Sequence, residues 1–225
     1  MTFSIVGHCR RTGMFGVAIT TSSICVGARC PHARAGVGAV ATQNVTDPSL
    51  GPSILDAMTA GRNAQEALDQ VIAGRDYLDY RQLTVVDNQG NTASFTGGNI
   101  LGTNAESAGD ACYAAGNLLS SIAVPKAMTT AFSTHASEHL AERLLLSLEA
   151  GLDAGGEEGD VHSAALLVVD KQSFPLVDLR VDWDDANPAV KLRALWRDYE
   201  PQMLDYLTRA INPADAPSYG VPGDE

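Results

Sequence analysis

Apolar residues alternate with small or polar ones over Thr2-Phe3-Ser4-Ile5-Val6-Gly7, the period of a half-buried strand. Arg10-Arg11-Thr12-Gly13 supplies a turn and Phe15 to Thr20 resumes the alternation, so the chain opens as a hairpin. Ala35 to Thr42 predicts a third strand, whose Gly36 and Gly38 mark close approach of another element. Ile54, Leu55 and Met58 then share one helical face between Pro52 and Gly61. Asn63 has the place of an N-cap for a second helix, Ala64 to Ala73, stopped by Gly74. Leu83–Asp87 and Thr92–Thr96, joined through Asn88-Gln89-Gly90-Asn91, form another hairpin. Helical spacing returns after Pro125 and is clearest at Leu140, Leu144, Leu145 and Leu148. Ser163 to Asp170 reads as a buried strand with Phe174 to Val181 as its antiparallel partner. Leu192 to Ile211 reads as one amphipathic closing helix carrying Trp196, Tyr199, Leu204 and Leu207.

Blocks of hairpins alternating with blocks of helices imply an α+β fold built on antiparallel sheets. The arrangement that covers every apolar face is a four-layer αββα sandwich, two stacked sheets each flanked by a pair of helices. No repeat or linker divides the chain, so residues 1–211 are taken as a single domain. The remainder, 212–225, is rich in Pro, Gly and acidic residues and is expected to be a mobile tail.

A net charge of −12 over 225 residues argues against a nucleic-acid or anionic-membrane surface, which would reward clustered Lys and Arg. Apolar runs such as Ala164–Val169 are too short to cross a bilayer, and no basic region leads into an apolar one at the start. A cytoplasmic protein is expected. The four cysteines are read as reduced thiols. His8-Cys9 and Cys30-Pro31-His32 lack a third converging ligand, so neither a metal nor an organic cofactor is expected.

The chemistry with the most direct rationale lies at Thr2. Removal of Met1 would leave a threonine bearing both a hydroxyl and a free α-amine, and that amine, titrating near pH 8, can deprotonate its own hydroxyl. A chain that keeps Met1 has this amine acylated and inactive. Gln43 and Asn117 each end a small-residue strand, where an amide could donate to a developing oxyanion or simply bond loop backbone. Ser22 and Ser23 could orient the amine or merely cap the strand. Asp160-Val161-His162-Ser163 has the residue types of a triad, but neighbours on a strand point to opposite faces and no Gly-x-Ser-x-Gly elbow is present.

Thr2-Phe3-Ser4-Ile5-Val6, Gly16-Val17-Ala18, Ala33 through Gln43, Gly116-Asn117-Leu118-Leu119 and Ser163 through Val169 together resemble the bacterial and archaeal family called domain of unknown function 1028. The resemblance implies an N-terminal-nucleophile (Ntn) hydrolase-like sandwich with a bacterial setting and no established substrate. Relatives usually carry a basic pair where this chain has Gly159-Asp160-Val161-His162, which makes Asp160 a candidate substrate contact. No lysine accompanies Thr21-Ser22-Ser23, contrary to threonine proteases. The favoured expectation is therefore hydrolysis of a small-molecule C–N amide bond by Thr2. Two alternatives stand beside it: a non-catalytic ligand-binding or scaffolding sandwich, and a thiol enzyme using Cys9 or Cys30. A homodimer seam along the closing helix is left open.

Overall fold

The structure is a computed structural model and describes residues 2–223. Met1, whose removal the sequence reading invokes, lies outside the described residues, as do Asp224 and Glu225.

The opening hairpin forms as expected from β1 (Thr2–His8) and β2 (Phe15–Thr21), with Thr2 opposite Thr21. The third strand is displaced. Gly36 adopts a left-handed φ of 71° and turns the chain, so that β4 (Gly38–Asn44) begins after it and β3 (Pro31–Arg34) precedes it. Helices α1 (Leu50–Thr59) and α2 (Ala64–Ile72) follow. At α2 the Asn63 side chain accepts from the Glu66 N–H while Glu66 accepts from the Asn63 N–H, a reciprocal cap. The hairpin of β5 (Arg81–Asp87) and β6 (Thr92–Thr96) is closed by Asp87, which accepts from the Gln89 and Asn91 N–H groups.

A further hairpin, β7 (Ala105–Gly109) and β8 (Cys112–Asn117), has no β-branched residue and little sequence signal. After α3 (Val124–Thr134) and α4 (Leu140–Asp153) come β9 (Ser163–Val169) and β10 (Val177–Val181), antiparallel as expected. The closing helix is two helices. Pro201 cannot supply the backbone N–H that a continuous helix needs, and the chain passes through a short 3-10 turn between α5 (Pro188–Tyr199) and α6 (Met203–Ile211). The α6 end is correspondingly exposed at Leu204, whereas Trp196 on α5 is buried within its own chain.

Two antiparallel sheets result, ordered β10-β9-β2-β1-β8-β7 and β3-β4-β5-β6. They meet through Val6, Phe15, Val17 and Val169 on one side and Ala39, Ala41 and Val86 on the other. Phe3 and Ile5 point the opposite way, into Phe132, Leu144 and Leu148 of α3 and α4. Val40, Leu83 and Val85 likewise pack on Ile54, Met58 and Leu68 of α1 and α2. Helix α5 is fixed to α4 by Arg193, whose guanidinium donates to Glu149 at 2.8 Å and also pairs with Glu142, which accepts the Trp196 indole N–H.

Small residues on the central strands have a steric reason. A Cβ at Gly16 would lie 2.6 Å from the Leu167 carbonyl oxygen and 2.7 Å from Leu144 Cδ1. Gly16→Ala is expected to cost about 2 kcal/mol by overpacking, read as a lower urea midpoint at unchanged slope.

Candidate functional site

The space between the sheets changes character along β1. Val6 is in its apolar part, while Thr2 and Ser4, on the same face by strand alternation, are in a polar part with Thr21, Asn117, Gln43 and Gln82. All six polar residues are at most 5% exposed. Buried polar groups need partners, and here they find one another. Ser4 Oγ donates to Gln43 Oε1 at 2.7 Å, and Gln43 Nε2 donates to Gln82 Oε1 at 2.8 Å. Gln82 Oε1 also accepts from Asn117 Nδ2 at 3.2 Å, while Gln82 Nε2 reaches the Gly116 carbonyl at 3.3 Å. Gln82 thus joins both sheets.

Thr2 sits at the head of β1, flanked in register by Thr21 of β2 and Asn117 of β8. Its hydroxyl lies 3.0 Å from that of Thr21. Asn117 is followed by Leu118 and Gln43 by Asn44, both left-handed with φ of 48° and 69°, so each amide stands directly before the residue at which the chain turns away. Thr2, Gln43 and Asn117 are therefore brought into one buried polar cluster, with Gln43 reaching it through Ser4.

The other candidates lie differently. Ser22 is half-buried just beyond β2, Ser23 is exposed and its carbonyl accepts the Ser163 hydroxyl at 2.6 Å, and Asp160 is exposed on the loop before β9. Ser163 Oγ also accepts from the Val26 N–H, while His162 stacks on Trp183, so no triad forms. Burial pushes the Cys30 thiol up to about 11 and Cys112 up to about 12, which keeps both protonated. At buried Cys9 the desolvation that would raise the thiol is outweighed by hydrogen bonds from Thr12 and the Arg11 backbone together with the Arg143 charge, leaving it below its ordinary value. Among the described residues no cluster of His, Cys, Asp and Glu could hold a metal ion, and no helix is long and apolar enough to cross a membrane.

Three residues escape sequence reasoning. Thr21 and Gln82 belong to the cluster only through register, since Gln82 stands opposite Gln43. Glu157 looks like part of a solvated acidic loop, Glu157-Glu158-Gly159-Asp160, yet it is 6% exposed. Its backbone bridges to Leu119, and Glu158 N–H donates to the Leu118 carbonyl at 2.8 Å. Neither carboxylate oxygen has a full hydrogen-bond partner. Burial accordingly pushes its carboxyl up to about 8, against a weaker pull from the Ser22 backbone N–H.

A family model for the family of unknown function DUF1028 matches residues 2–192, and the chain belongs to that family. A crystal structure of a family member from Silicibacter pomeroyi is 32% identical, with a TM-score of 0.81 over 88% of each chain. Anbu, the ancestral beta-subunit from Yersinia bercovieri, is 12% identical with a TM-score of 0.40, over 91% of this chain and 97% of its own. A comparison with curated proteins found no match.

Two outcomes are expected. Gln82→Met removes the acceptor shared by Gln43 and Asn117, leaves two buried donors unpaired, and should cost about 2–5 kcal/mol in chemical denaturation. Glu157 has a folded pKa raised above its ordinary 4.5 to about 8, so the folded state holds the extra proton between those values. Its contribution is intact below about pH 4.5 and is lost as pH rises to about 8, by on the order of 5 kcal/mol. The stability difference between wild type and Glu157→Gln, measured by urea titration from pH 5 to 9, should shift in the variant's favour as pH rises.

Proposed function

We propose that this member of the DUF1028 family is an Ntn-type hydrolase that cleaves a C–N amide bond of a small molecule, with Thr2 as nucleophile once Met1 is removed. The observation that carries the reading is the position of Thr2. It heads an interior strand of the six-stranded sheet, with its hydroxyl on the polar part of the inter-sheet space beside Thr21 and Asn117. The two-sheet, helix-flanked architecture is the setting an Ntn-like αββα sandwich requires.

The chemistry follows from the groups present. Thr2 Oγ attacks the amide carbonyl while its proton passes to the α-amine, directly or through a water. Asn117 and Gln43 each commit Nδ2 or Nε2 to Gln82 through one hydrogen bond and retain a second N–H. Asn117, adjacent to Thr2 in register, is the nearer oxyanion donor. The α-ammonium returns the proton to the leaving nitrogen as the C–N bond breaks. Water then attacks the Thr2 ester, its proton again going to the amine and on to Thr2 Oγ. A net charge of −12 favours a neutral or cationic substrate. Ser22, Ser23 and Asp160 line the approach in this reading.

One observation favours the alternative, a non-catalytic ligand-binding or scaffolding role on the same fold: Thr2 is only 5% exposed. Intact mass and N-terminal sequencing of protein from its native host separate the two. Threonine at the N-terminus, with hydrolysis in an amide screen lost by about 10³-fold or more in Thr2→Ala and partly kept in Thr2→Ser, is the expected result. Quantitative retention of methionine overturns the hydrolase reading.

A further inference from the structure

The head of β1 is closed by a buried acid. Strand β1 lies between β2 and β8, with Thr2 level with Thr21 on one side and Asn117 on the other. The chain beyond Asn117 bridges Glu157 through Leu119, and the chain beyond Thr21 brings the Ser22 N–H toward the Glu157 carboxylate. A residue whose backbone joins one flanking segment and whose carboxylate meets the other, just past their last paired residues, lies across the end of the strand between them. The loop is tied there twice more, by Glu158 N–H to the Leu118 carbonyl and Ser120 N–H to the Gly156 carbonyl at 3.1 Å.

What gathers at this place is more acceptors than donors, with the Ser22 N–H alone approaching the carboxylate. Both Glu157 oxygens and Asn117 Oδ1 are buried without a full hydrogen-bond partner, and Asn117 is 0% exposed. No ion pair among the described residues includes Glu157. Three orphaned acceptors match a group with several N–H donors and a positive charge. The chain itself can supply one at the start of β1, the α-amine of Thr2.

We propose that Glu157 is the positioning residue for the Thr2 α-amine in the processed protein, sharing one proton with it and aiming its lone pair at the Thr2 hydroxyl. The inference rests on the Thr2 reading and adds to it the group that sets the amine's protonation. In the charged form, carboxylate and ammonium pair and the amine is no base. Moving that proton to Glu157 gives a carboxylic acid beside a free amine with no net change in charge, and burial favours the uncharged pair. No cation is needed to deprotonate the amine, consistent with the absence of lysine from Thr21-Ser22-Ser23. The surrounding segments add no competing buried titratable group: Thr21–Ser23 and Asn117–Ser121 contain none, and Asp153, Glu158 and Asp160 are exposed.

The test uses protein released from an N-terminal fusion by cleavage directly before Thr2, checked by intact mass. Acylation of the α-amine by a small amine-reactive reagent is followed from pH 5 to 10 by mass mapping of the first peptide, in wild type, Glu157→Gln and Glu157→Asp. Wild type should titrate in two steps. Glu157→Gln should titrate in one, with its midpoint at least one pH unit below the upper wild-type step, and Glu157→Asp should restore the second step. Superimposable profiles for wild type and Glu157→Gln overturn the proposal, whatever the amide screen finds. Failure of the screen with the two-step profile intact overturns the hydrolase reading and leaves the Glu157–amine pair standing.

Discussion

The hydrogen-bonded line from Ser4 through Gln43 and Gln82 to Asn117 is what the polar half of this sandwich depends on. Sheets that pack face to face usually meet through apolar side chains, as Val6, Val17, Ala39 and Val86 do here. Polar groups can share that space only if each one is answered, because an unanswered amide in a low-dielectric layer costs more than the bond would contribute. Gln82 provides the answer on both sides, with one oxygen receiving two amides from different sheets. That fixes the relative position of the sheets at the end where Thr2 stands.

The demand for full pairing makes the exceptions informative. A cluster that satisfies Ser4, Gln43 and Gln82 leaves Glu157 and Asn117 Oδ1 open at its margin. Such exceptions mark either a defect or a place where another group belongs. The left-handed Leu118 belongs to the same corner: it ends β8 directly after Asn117, and its carbonyl holds the Glu158 N–H. The backbone there is spent on bringing the acidic loop over the head of β1.

Much of the fold could be read from the chain because the strongest patterns are local. The Thr2–Gly7 alternation, the Asn63 cap and the leucine spacing of α4 each declare an element without reference to anything distant. The failures share a cause too. The β7–β8 hairpin is rich in Ala and Gly and has no β-branched residue, so its strand character comes from neighbours. Pro201 interrupts a helical face whose apolar spacing runs on across it. At the site, Thr2, Gln43 and Asn117 could be singled out as strand-end polar residues, whereas Gln82 and Glu157 acquire meaning only from pairing across strands and from burial. Register and burial are long-range properties that a local pattern does not encode.

The interior place of β1 also has a consequence for how the molecule forms. Strand β1 finds its second partner only in β8, and β2 finds its second partner only in β9, near residue 165. The six-stranded sheet thus cannot close until synthesis has passed β10, which ends at Val181. Such distant pairing places folding in the slow, millisecond-to-second regime of high contact order. Until then the edges of the opening hairpin remain unpaired, so nascent chains must be kept apart while the centre of their own sheet waits for its last strands.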